Sequence, residues 1–366
     1  MPDQLADTIR SDLLRWYRRC RRDLPWRAGT PSALAGDTPD PYHVLVSEAM
    51  LQQTRVATVV DYFHRFIEAF PTVRDLAAAD EQRVLRLWQG LGYYRRARNL
   101  HAAAKAIVEL HEGEVPDTVE ALLGLPGVGP YTAGAIASIA FDRTAAILDG
   151  NVARVLARLH GIESPVDDTD TRKQLWQLAE QLAAGPSPGD VNQGLMELGA
   201  TVCTPRSPQC LVCPLRDHCI ANRDGRTEEL PQRSPKRPPT AVVHTVLAIR
   251  RRKEFLFEQR SDDGLWAGMW QLPTWEVDVD TDEIADLAAD RHGLAISPPV
   301  ELDRFTHQTT HRTITFRVLL ADTTAGRLKR GRPARCWRPL DRLDDLPLAN
   351  PQRRAIEIAQ RNLDQT

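Results

Sequence analysis

Two carboxylates in unlike surroundings are the residues best suited to acid–base chemistry. Glu48 is the lone acid in an apolar helical stretch, residues 42–56. A carboxyl group among apolar neighbours is costly to ionise, so its pKa rises towards the value that a general acid needs near neutral pH. Asp149 stands just before a second predicted helix and is followed by Gly150 and Asn151. The plainer alternatives are an exposed stripe of the helix for Glu48 and helix N-capping for Asp149.

A glycine-bounded turn and the helix after it could hold a phosphate. Gly127 and Gly129 flank Val128, and small residues dominate positions 132–138. Such a turn favours positive φ and lets another molecule approach the backbone closely. The first N–H groups of the following helix have no intrahelical acceptors and suit an anion. The stretch 125–152 therefore predicts a phosphate cradle near a carboxylate; a simple connector between two helices is the alternative.

Four cysteines have the spacing of a metal centre, C-x6-C-x2-C-x5-C: Cys203, Cys210, Cys213 and Cys219. Thiols this close together, in a chain without secretory features, argue for a metal rather than for disulfides. Four thiolates are the ligands that an iron–sulfur cluster needs. Zinc would also accept them, but zinc sites usually pair two short C-x2-4-C units and only one such pair is present. Cys20 and Cys336 are isolated and are predicted to be ordinary thiols.

An aromatic turn is a fourth feature with chemical meaning. The sequence W-Q-G-L-G-Y-Y predicts a glycine-hinged turn that exposes Leu91, Tyr93 and Tyr94 beside Arg95 and Arg96. Exposed aromatic rings next to guanidinium groups suit stacking on unpaired bases or wedging between base pairs. Burial of both tyrosine rings in the core is the alternative.

Length and composition predict two soluble globular domains, since the chain has 366 residues, 42% of them hydrophobic and 26% charged. The net charge of −2 does not by itself indicate a nucleic-acid binder, so local clusters such as the Arg-rich stretch 15–27 matter more. A solvated helix face would explain that stretch equally well. The sequence has no run of about 18 apolar residues, and its first residues lack a signal peptide's apolar core. We therefore expect a cytoplasmic protein.

Hydrophobic periodicity predicts an all-α part, a linker and an α+β part. Residues 1–222 show helical spacing without a convincing strand. Residues 223–239 are rich in Arg, Lys, Pro and Glu, as in a semi-extended linker, and residues 240–366 have the mixed pattern of an α+β domain. The predicted elements are helices at 5–22, 42–56, 61–70, 80–88, 94–110, 282–291 and 351–363, strands at 241–249, 254–259 and 314–320, and a Gly/Pro-rich loop at 28–41.

Taken together, the motifs resemble one family of DNA repair enzymes. S-E-A-M-L-Q-Q-T, G-L-G-Y-Y, L-P-G-V-G-P-Y-T-A-G, L-D-G-N-V-x-R-V and the cysteine loop resemble the MutY-type adenine DNA glycosylases, helix–hairpin–helix enzymes related to endonuclease III. L-W-A-G-M-W-Q-L-P, residues 265–273, resembles their Nudix-like C-terminal domain. The likeness covers about residues 5–360. It implies a multi-domain α and α+β fold: a six-helix hairpin lobe, an iron–sulfur lobe and a Nudix-like lesion-recognition domain.

The resemblance also implies a role for each residue of the site. Glu48 matches the general acid that protonates N7 of a flipped adenine and then activates water. Asp149 matches the carboxylate that stabilises the oxocarbenium ion at C1′. Tyr131 and Asn151 match the polar groups beside these carboxylates. The four cysteines of the loop match the ligands of a [4Fe–4S] cluster. The residues matched to DNA contacts are Gln52, Gln53, Thr54, Leu91, Tyr93, Gly127, Val128 and Gly129.

The activity that the resemblance implies is monofunctional removal of adenine opposite 8-oxoguanine, or opposite guanine, from double-stranded DNA. Endonuclease III has a nucleophilic lysine where this sequence has Tyr131, and without an amine no Schiff base forms.

The Nudix hydrolase signature is missing from the C-terminal part, which predicts that this domain recognises the lesion without hydrolysing a substrate. The resemblance further implies a nucleoid-associated monomer that contacts no membrane and has repair or replication proteins as further partners. The alternatives are a pyrimidine or thymine glycosylase of the endonuclease III type and a catalytically silent iron–sulfur DNA-binding protein.

One part of the family pattern has two matches in this chain. The family senses 8-oxoguanine partly through a short loop that usually reads F-S-H. Here Phe305-Thr306-His307 matches it by appearance and Thr309-Thr310-His311 matches it by flanking spacing. His307, Thr310 and His311 are therefore all candidate contacts to the opposing base.

Overall fold

The computed structural model describes residues 3–27, 39–235 and 238–363, so most of the predicted loop 28–41 lies outside the described residues. Packing divides the chain into two compact units, each described here by itself. One unit comprises Met1–Ala79 and Asn99–Lys236, and the other comprises Asp80–Arg98 and Arg237–Thr366. Residues 80–98, which the sequence pattern assigns to the first domain, thus group with the C-terminal part.

The described residues of the first unit contain helices and no strand, as predicted. The helices up to residue 223 are α1 Asp3–Cys20, α2 Pro41–Leu51, α3 Val56–Ala69, α4 Val73–Ala78, α5 Glu81–Trp88, α6 Arg95–Leu110, α7 Val119–Leu123, α8 Pro130–Phe141, α9 Gly150–Leu159, α10 Thr169–Ala183, α11 Pro188–Thr201 and α12 Ile220–Arg223. Of these, α5 and the start of α6 belong to the second unit. Among the described helices, none has the length and apolar character to cross a bilayer.

Two nearly fully buried helices, α2 and α8, pack against each other at the centre of the first unit. Asp40 caps α2 by accepting hydrogen bonds from the backbone N–H groups of Tyr42 (2.7 Å) and His43 (3.3 Å). The helix ends at Leu51 rather than at the predicted residue 56, and Gln53 follows with φ of 60°. In α8 the small residues permit close packing: a Cβ on Gly134 would lie 2.1 Å from a backbone oxygen. Because most residues of these two helices are packed against the rest of the unit, their polar side chains have fixed positions.

The predicted linker is partly a packed segment of the first unit. The side chain of Leu230 is 2% exposed, and its backbone carbonyl accepts a hydrogen bond of 2.8 Å from Arg158 Nε. The N–H of Val166 donates to the carbonyl of Gln232 at 3.0 Å. A proline-rich composition is typical of extended chain, but it does not reveal that such a chain is hydrogen-bonded to a distant helix.

The second unit contains one mixed sheet among its described residues. Its strands are β1 Thr240–Arg251, β2 Glu254–Gln259, β3 Trp270–Gln271, β4 Thr274–Trp275, β5 Leu294–Ile296, β6 Val300–Gln308, β7 Arg312–Gly326 and β8 Arg335–Arg338, and its C-terminal helices are α13 Ile284–His292 and α14 Asn350–Leu363. The order is β3-β2-β1-β7-β5, with β4 paired to β1, β6 to β7 and β8 to β2. The central pair is parallel, running from Thr240 beside Arg312 to Arg250 beside Asp322.

Both faces of this sheet are covered, because alternate residues of β1 enter different cores. Val246 and Ala248 pack with residues of α14 on one face. Leu247 and Ile249 pack with Ile284 and other residues of α13 and its surroundings on the other. Alternation of side chains in an extended strand produces this arrangement. The three predicted strands and both predicted helices are present, whereas β3, β4, β5, β6 and β8 are additional.

Helix α5 lies against the C-terminal residues of its own unit, which explains why it groups with them. Gln82 donates to the carbonyl of Gly268 at 3.2 Å and accepts from the indole N–H of Trp270 at 3.2 Å. The side-chain carbonyl of Gln89 accepts from the backbone N–H of Leu348 at 3.0 Å. These bonds join residues more than 180 positions apart, a pairing that local periodicity cannot reveal.

Candidate active site and nucleic-acid interface

A cavity of about 520 Å³ in the first unit brings the predicted catalytic residues together. Its size falls within the range of roughly 300–1,000 Å³ that ligand sites occupy. The predicted site residues that line it are Glu48, Gln52, Gln53, Thr54, Tyr131, Asp149 and Asn151. Residues separated by up to about a hundred positions in sequence thus share one concave site.

Glu48 is an interior carboxyl group rather than part of an exposed stripe. Its residue is 5% exposed, and Oε2 has no hydrogen-bond partner among the described residues. The pKa of Glu48 is raised to about 7, mainly by burial; the negative charge of Asp149 also raises it, while the hydrogen bond with Tyr131 and the charge of Arg27 lower it. A group with this pKa is substantially protonated at neutral pH and can donate its proton to an acceptor that enters the cavity.

Tyr131, in the first turn of α8, is the nearest polar neighbour of Glu48. A side-chain hydrogen bond links the two residues and favours the ionised form of Glu48. The Tyr131 hydroxyl also lies 3.2 Å from the sulfur of Met196. Burial, and then the charges of Glu48 and Asp149, raise the pKa of Tyr131 well above its usual value. The phenol therefore stays neutral and serves as a hydrogen-bonding group.

Asp149 is the N-cap of α9, so the plainer expectation for it is correct, yet its carboxylate also faces the cavity. Oδ1 accepts from the backbone N–H groups of Asn151 (2.9 Å) and Val152 (2.7 Å), and Oδ2 accepts from Asn151 Nδ2 (3.0 Å). Burial raises the pKa of Asp149, while these bonds and the charge of Arg154 lower it. The capping bonds fix the direction of the carboxylate and stabilise its charge.

Arg154 on α9 connects Asn151 to the cysteine loop. It is 5% exposed. Its Nη2 donates to Asn151 Oδ1 and to the carbonyl of Gly199, both at 2.8 Å, and its Nε donates to the carbonyl of Cys203 at 2.8 Å. A buried guanidinium with several acceptors holds them in fixed geometry. Asp149 and the first cysteine are thus joined through the side chains of Asn151 and Arg154.

The cysteine loop has a donor set and surroundings that fit an iron–sulfur cluster. Arg158 Nη1 lies 3.3 Å from the sulfur of Cys203, which suits a thiolate. The pKa of the Cys213 thiol is raised to about 12, mainly by burial and also by the charges of the other three cysteines. Four thiolates this close need a cationic group between them. The four thiols do not form a site for a single ion, because within the described residues no three His, Cys, Asp or Glu side chains are grouped so that they could hold one metal ion.

The cavity also contains a buried ion-pair group that sequence reasoning missed. Glu197 on α11 accepts from Arg22 Nε at 2.6 Å and from Arg27 Nη2 at 2.9 Å, and its side chain is 1% exposed. Burial opposes ionisation, but the hydrogen bonds and charges of the two arginines lower the pKa of Glu197 below its usual value. Trp26 and Gln193 line the same cavity. The Arg-rich stretch was the available signal, but its carboxylate partner lies 175 positions away.

The hairpin turn leaves backbone donors available, as predicted for a phosphate cradle. Gly127 has φ of 74°, and a Cβ there would lie 2.5 Å from Asn99 Cβ. The N–H of Val128 donates to the carbonyl of Leu125 at 3.2 Å. In the described part of the chain, no acceptor is found for the N–H of Gly127 or Gly129. These donors precede α8, where the helix dipole also favours an anion.

The aromatic turn exposes one ring rather than three apolar side chains. Tyr93 is 49% exposed, with φ of 48°. Leu91 (6%) and Tyr94 (5%) are buried, so their predicted exposure is wrong. Arg96 is buried beneath the turn, where Nη2 donates to the carbonyls of Leu91 and Gly92, both at 3.2 Å. The Tyr94 ring fills the core of the turn, leaving Tyr93 as its projecting side chain.

The two candidate recognition tripeptides occupy different environments in the second unit. Phe305 is 5% exposed and stacks on Phe316 with ring centroids 5.0 Å apart, so this side chain belongs to the core. His307 follows in the same strand and is partly buried beside Trp266. Thr309–His311 instead form the turn between β6 and β7. Within this unit, the hydroxyls of Thr310 and Tyr93 lie 3.0 Å apart.

Three family comparisons agree with this fold and site. Residues 46–181 match the HhH-GPD superfamily of base excision DNA repair proteins. Residues 203–219 match the iron–sulfur binding domain of endonuclease III, which confirms an iron–sulfur cluster for the cysteine loop. Residues 245–358 match the NUDIX domain. Together they define the class: a helix–hairpin–helix base excision repair protein with an iron–sulfur loop and a Nudix-like domain.

Relatives identify the family within that class. The adenine DNA glycosylase of Schizosaccharomyces pombe is 37% identical, over 76% of this chain and 73% of its own length. The adenine DNA glycosylase of Buchnera aphidicola subsp. Schizaphis graminum is 31% identical, over 94% of this chain and 97% of its own length. The mouse protein is 42% identical over 73% of this chain, which spans about three fifths (60%) of the mouse protein. The chain belongs to the adenine DNA glycosylase family, as its motifs predict.

Solved structures show the same helical fold. A thermostable thymine-DNA glycosylase has a TM-score of 0.53 and 31% identity, covering 60% of this chain and 97% of its own. A trapped covalent intermediate of endonuclease III with DNA has a TM-score of 0.50 and 24% identity, covering 62% of this chain and 99% of its own. The second likeness supports the fold alone.

Proposed function

We propose that this protein is a monofunctional adenine DNA glycosylase that hydrolyses the N-glycosidic bond of adenine opposite 8-oxoguanine, or opposite guanine, in double-stranded DNA. The observation that carries the proposal is the shared cavity of Glu48 and Asp149, in which a buried carboxyl oxygen of Glu48 has no hydrogen-bond partner among the residues that the structure describes. Family membership supports adenine as the base. Because the duplex buries the atoms that both carboxylates must reach, the nucleotide flips into the cavity.

Glu48 acts as the general acid. With a pKa of about 7, it carries a proton in a large fraction of molecules at neutral pH and donates it to N7 of adenine. The bond between C1′ and N9 then breaks, and its electron pair leaves with the base, which protonation has made a better leaving group. The resulting Glu48 carboxylate accepts a proton from the water that adds to C1′.

Asp149 stabilises the positive charge that develops on the sugar. Its carboxylate is held by the N–H groups of Asn151 and Val152 and points into the same cavity. A fixed negative group near C1′ lowers the energy of an oxocarbenium-like transition state without reorganising. Asn151 and Tyr131 act as positioning residues, since each is hydrogen-bonded to one of the two carboxylates.

Recognition of the opposing base is assigned to the turn between β6 and β7. The exposure of this turn and the 3.0 Å contact between Thr310 and Tyr93 favour Thr309-Thr310-His311 over the tripeptide whose Phe305 is in the core. Tyr93 is the residue proposed to wedge into the base stack. The hydroxyl of Thr310 offers both a donor and an acceptor to a modified guanine.

The iron–sulfur group is proposed to be a [4Fe–4S] cluster held by Cys203, Cys210, Cys213 and Cys219. When bound, it supplies a cationic iron core that neutralises the thiolates and can change oxidation state. The chain's own contribution is mechanical: Arg154 joins the carbonyl of Cys203 to Asn151 beside the catalytic carboxylate. Arg158 faces the Cys203 sulfur from the same helix.

Base release from a duplex with adenine opposite 8-oxoguanine, measured with and without alkali, tests the proposal. Strand breaks that appear only after alkali are expected, since Tyr131 offers no amine for a Schiff base. Breaks without alkali would mean that another group acts as the lyase nucleophile. A duplex with thymine opposite guanine is the matched control; release of thymine in place of adenine would overturn the assignment.

A further inference from the structure

A second cavity, of about 540 Å³, lies in the second unit and is lined by cations. It is built from the end of β7, the segment 327–334, the start of β8 and the last residue of β1. The charged side chains that line it are Arg251, Arg327, Lys329, Arg330 and Arg335, and no carboxylate belongs to its lining. Its volume is within the range of sites that hold small molecules.

The sequence concentrates positive charge at this place in two separate runs. From residue 323 to residue 340 there are six arginines and lysines and no acid, in T-T-A-G-R-L-K-R-G-R-P-A-R-C-W-R-P-L. The turn after β1 adds R-R-R-K, residues 250–253. For a chain with a net charge of −2 this is a strong local excess. Clustered cations in a concave site focus a positive potential.

Few of these charges are neutralised by carboxylates. Within the described residues, Arg250 pairs with Asp322 at 2.6 Å, Arg251 with Glu254 at 2.8 Å and Arg338 with Asp345 at 3.4 Å. No ion pair is found there for the other four cations that line the cavity: Arg327, Lys329, Arg330 and Arg335. Arg335 Nε is buried, and the described part of the chain offers it no hydrogen-bond partner. The nearest buried acid is Glu258, opposite Arg335 across β2 and β8, and it is already bound to Arg291 at 2.6 Å.

The wall of the cavity is fastened to the C-terminal end of α13. The N–H of Lys329 donates to the carbonyl of His292 at 2.9 Å, and the N–H of Arg327 donates to that of Gly293 at 3.2 Å. The ammonium group of Lys329 also contacts the carbonyl of Asp290. The positive field also reaches the buried His292, whose pKa is lowered to about 3, mainly by burial and also by the charges of Arg291, Arg335 and Lys329. The cations are therefore held close together before any ligand arrives.

We infer that this cavity is a binding site for phosphate groups, separate from the surface that reads the opposing base. The turn containing Thr310 adjoins the Thr240 end of β1, since the N–H of Thr240 donates to the carbonyl of His311. The cavity adjoins Arg251 at the other end of this strand, about 35–40 Å away for 12 residues. The phosphates come either from a free polyphosphate or from the DNA backbone beyond the lesion.

Calorimetric titration of the full-length protein with inorganic tripolyphosphate at low salt tests the inference. Arg327→Gln/Arg330→Gln removes two exposed cations of the cavity, and Arg172→Gln/Arg353→Gln removes two exposed cations elsewhere as a charge-matched control. We expect the first pair to weaken tripolyphosphate binding at least tenfold and the control to leave it within twofold. Equal melting temperatures for all three proteins will verify that the variants fold.

Titration with an undamaged duplex distinguishes the two sources of phosphate. If the cavity holds DNA, tripolyphosphate competes with the duplex, and the cavity variant lowers the salt slope of duplex binding by about 2. If it holds a free polyphosphate, duplex affinity is unchanged in the variant and tripolyphosphate affinity alone falls. Equal affinities of all three proteins for both probes would overturn the inference, as would an equal loss in the control variant.

Discussion

Glu48 is a carboxyl group whose pKa is set by the place where the fold buries it. At 5% exposure its pKa rises to about 7, whereas Glu197, 1% exposed in the same cavity, has its pKa lowered by Arg22 and Arg27. The difference lies in the partners, because two guanidinium groups compensate the charge of Glu197 and leave Glu48 with an unpartnered oxygen. One cavity thus contains an acid that can donate a proton and a carboxylate that stays ionised.

Replacing Glu48 by Gln should stabilise the protein at alkaline pH. The pKa of Glu48 is raised from 4.5 to about 7 in the folded state, so the wild type loses stability as pH rises between these values. The variant does not titrate there and should gain roughly 2–3 kcal/mol over the wild type between pH 5 and pH 8. Urea unfolding at both pH values measures this. Glu109→Gln, at an exposed helical position, is the control; the same gain in that variant would refute the assigned cause.

Local sequence signals predict Glu48 and Asp149 as candidate site residues. Other residues of the cavity have no such signal. An acid within an apolar helix and an acid before Gly-Asn are visible within a few positions of sequence. The salt bridge of Glu197 with Arg22, and the link from Asn151 through Arg154 to Cys203, depend on tertiary packing. The predicted exposure of Leu91 and Tyr94 is wrong for the same reason. The turn's glycines indicate a bend, but they do not show which side chains fill its interior.

At the scale of elements, α8 owes its position to residues small enough for neighbouring backbones to approach. A Cβ on Gly134 would lie 2.1 Å from the carbonyl oxygen of Ala146, and one on Gly189 of α11 would lie 2.4 Å from that of Ser138. Asn192 completes this packing by donating to Ser138 Oγ (2.8 Å) and to the carbonyl of Ala145 (2.7 Å). The helix that carries Tyr131 is therefore fixed by backbone contacts as well as by side chains.

Gly134→Ala should destabilise the protein by about 1–3 kcal/mol or more, because the added methyl group has no space in the core. Thermal and urea unfolding of the full chain will measure the loss. Gly150→Ala is the matched control, since a Cβ there meets nothing within 4 Å and its backbone does not have positive φ. We expect the control to be neutral or slightly stabilising. Equal stability of both variants would show that the close approach of α8 to residue 146 is not a constraint.

At the scale of the whole molecule, packing and sequence pattern divide the chain differently. Composition predicts a linker at 223–239, yet Leu230 is buried against Arg158 of the first unit, and residues 80–98 group with the second unit. Three predicted strands and two predicted helices were enough to indicate the α+β class of the Nudix-like part. Its short strands could not be predicted. A two-residue strand such as β3 has no periodicity to detect, and β6 is mostly exposed apart from Phe305.

Thr310→Val should lower the preference for 8-oxoguanine over guanine opposite adenine by roughly 3- to 10-fold, as expected for one lost hydrogen bond. The measurement is the ratio of single-turnover rates on the two duplexes. Thr306→Val, an exposed position in the rival tripeptide, is the control. If that variant loses the preference and Thr310→Val retains it, the assignment of the recognition turn is reversed.

The most direct test of the account is the pH dependence of single-turnover adenine release by the wild type and Glu48→Gln. The wild-type rate should fall as pH rises through about 7, the pKa of Glu48, because the protonated form is the one that acts. Glu48→Gln should lose about 10²- to 10⁴-fold in rate while binding the duplex within a few-fold of the wild type. A wild-type rate that does not change across that range, or a variant that releases adenine at the wild-type rate, would contradict the role of Glu48 as the general acid.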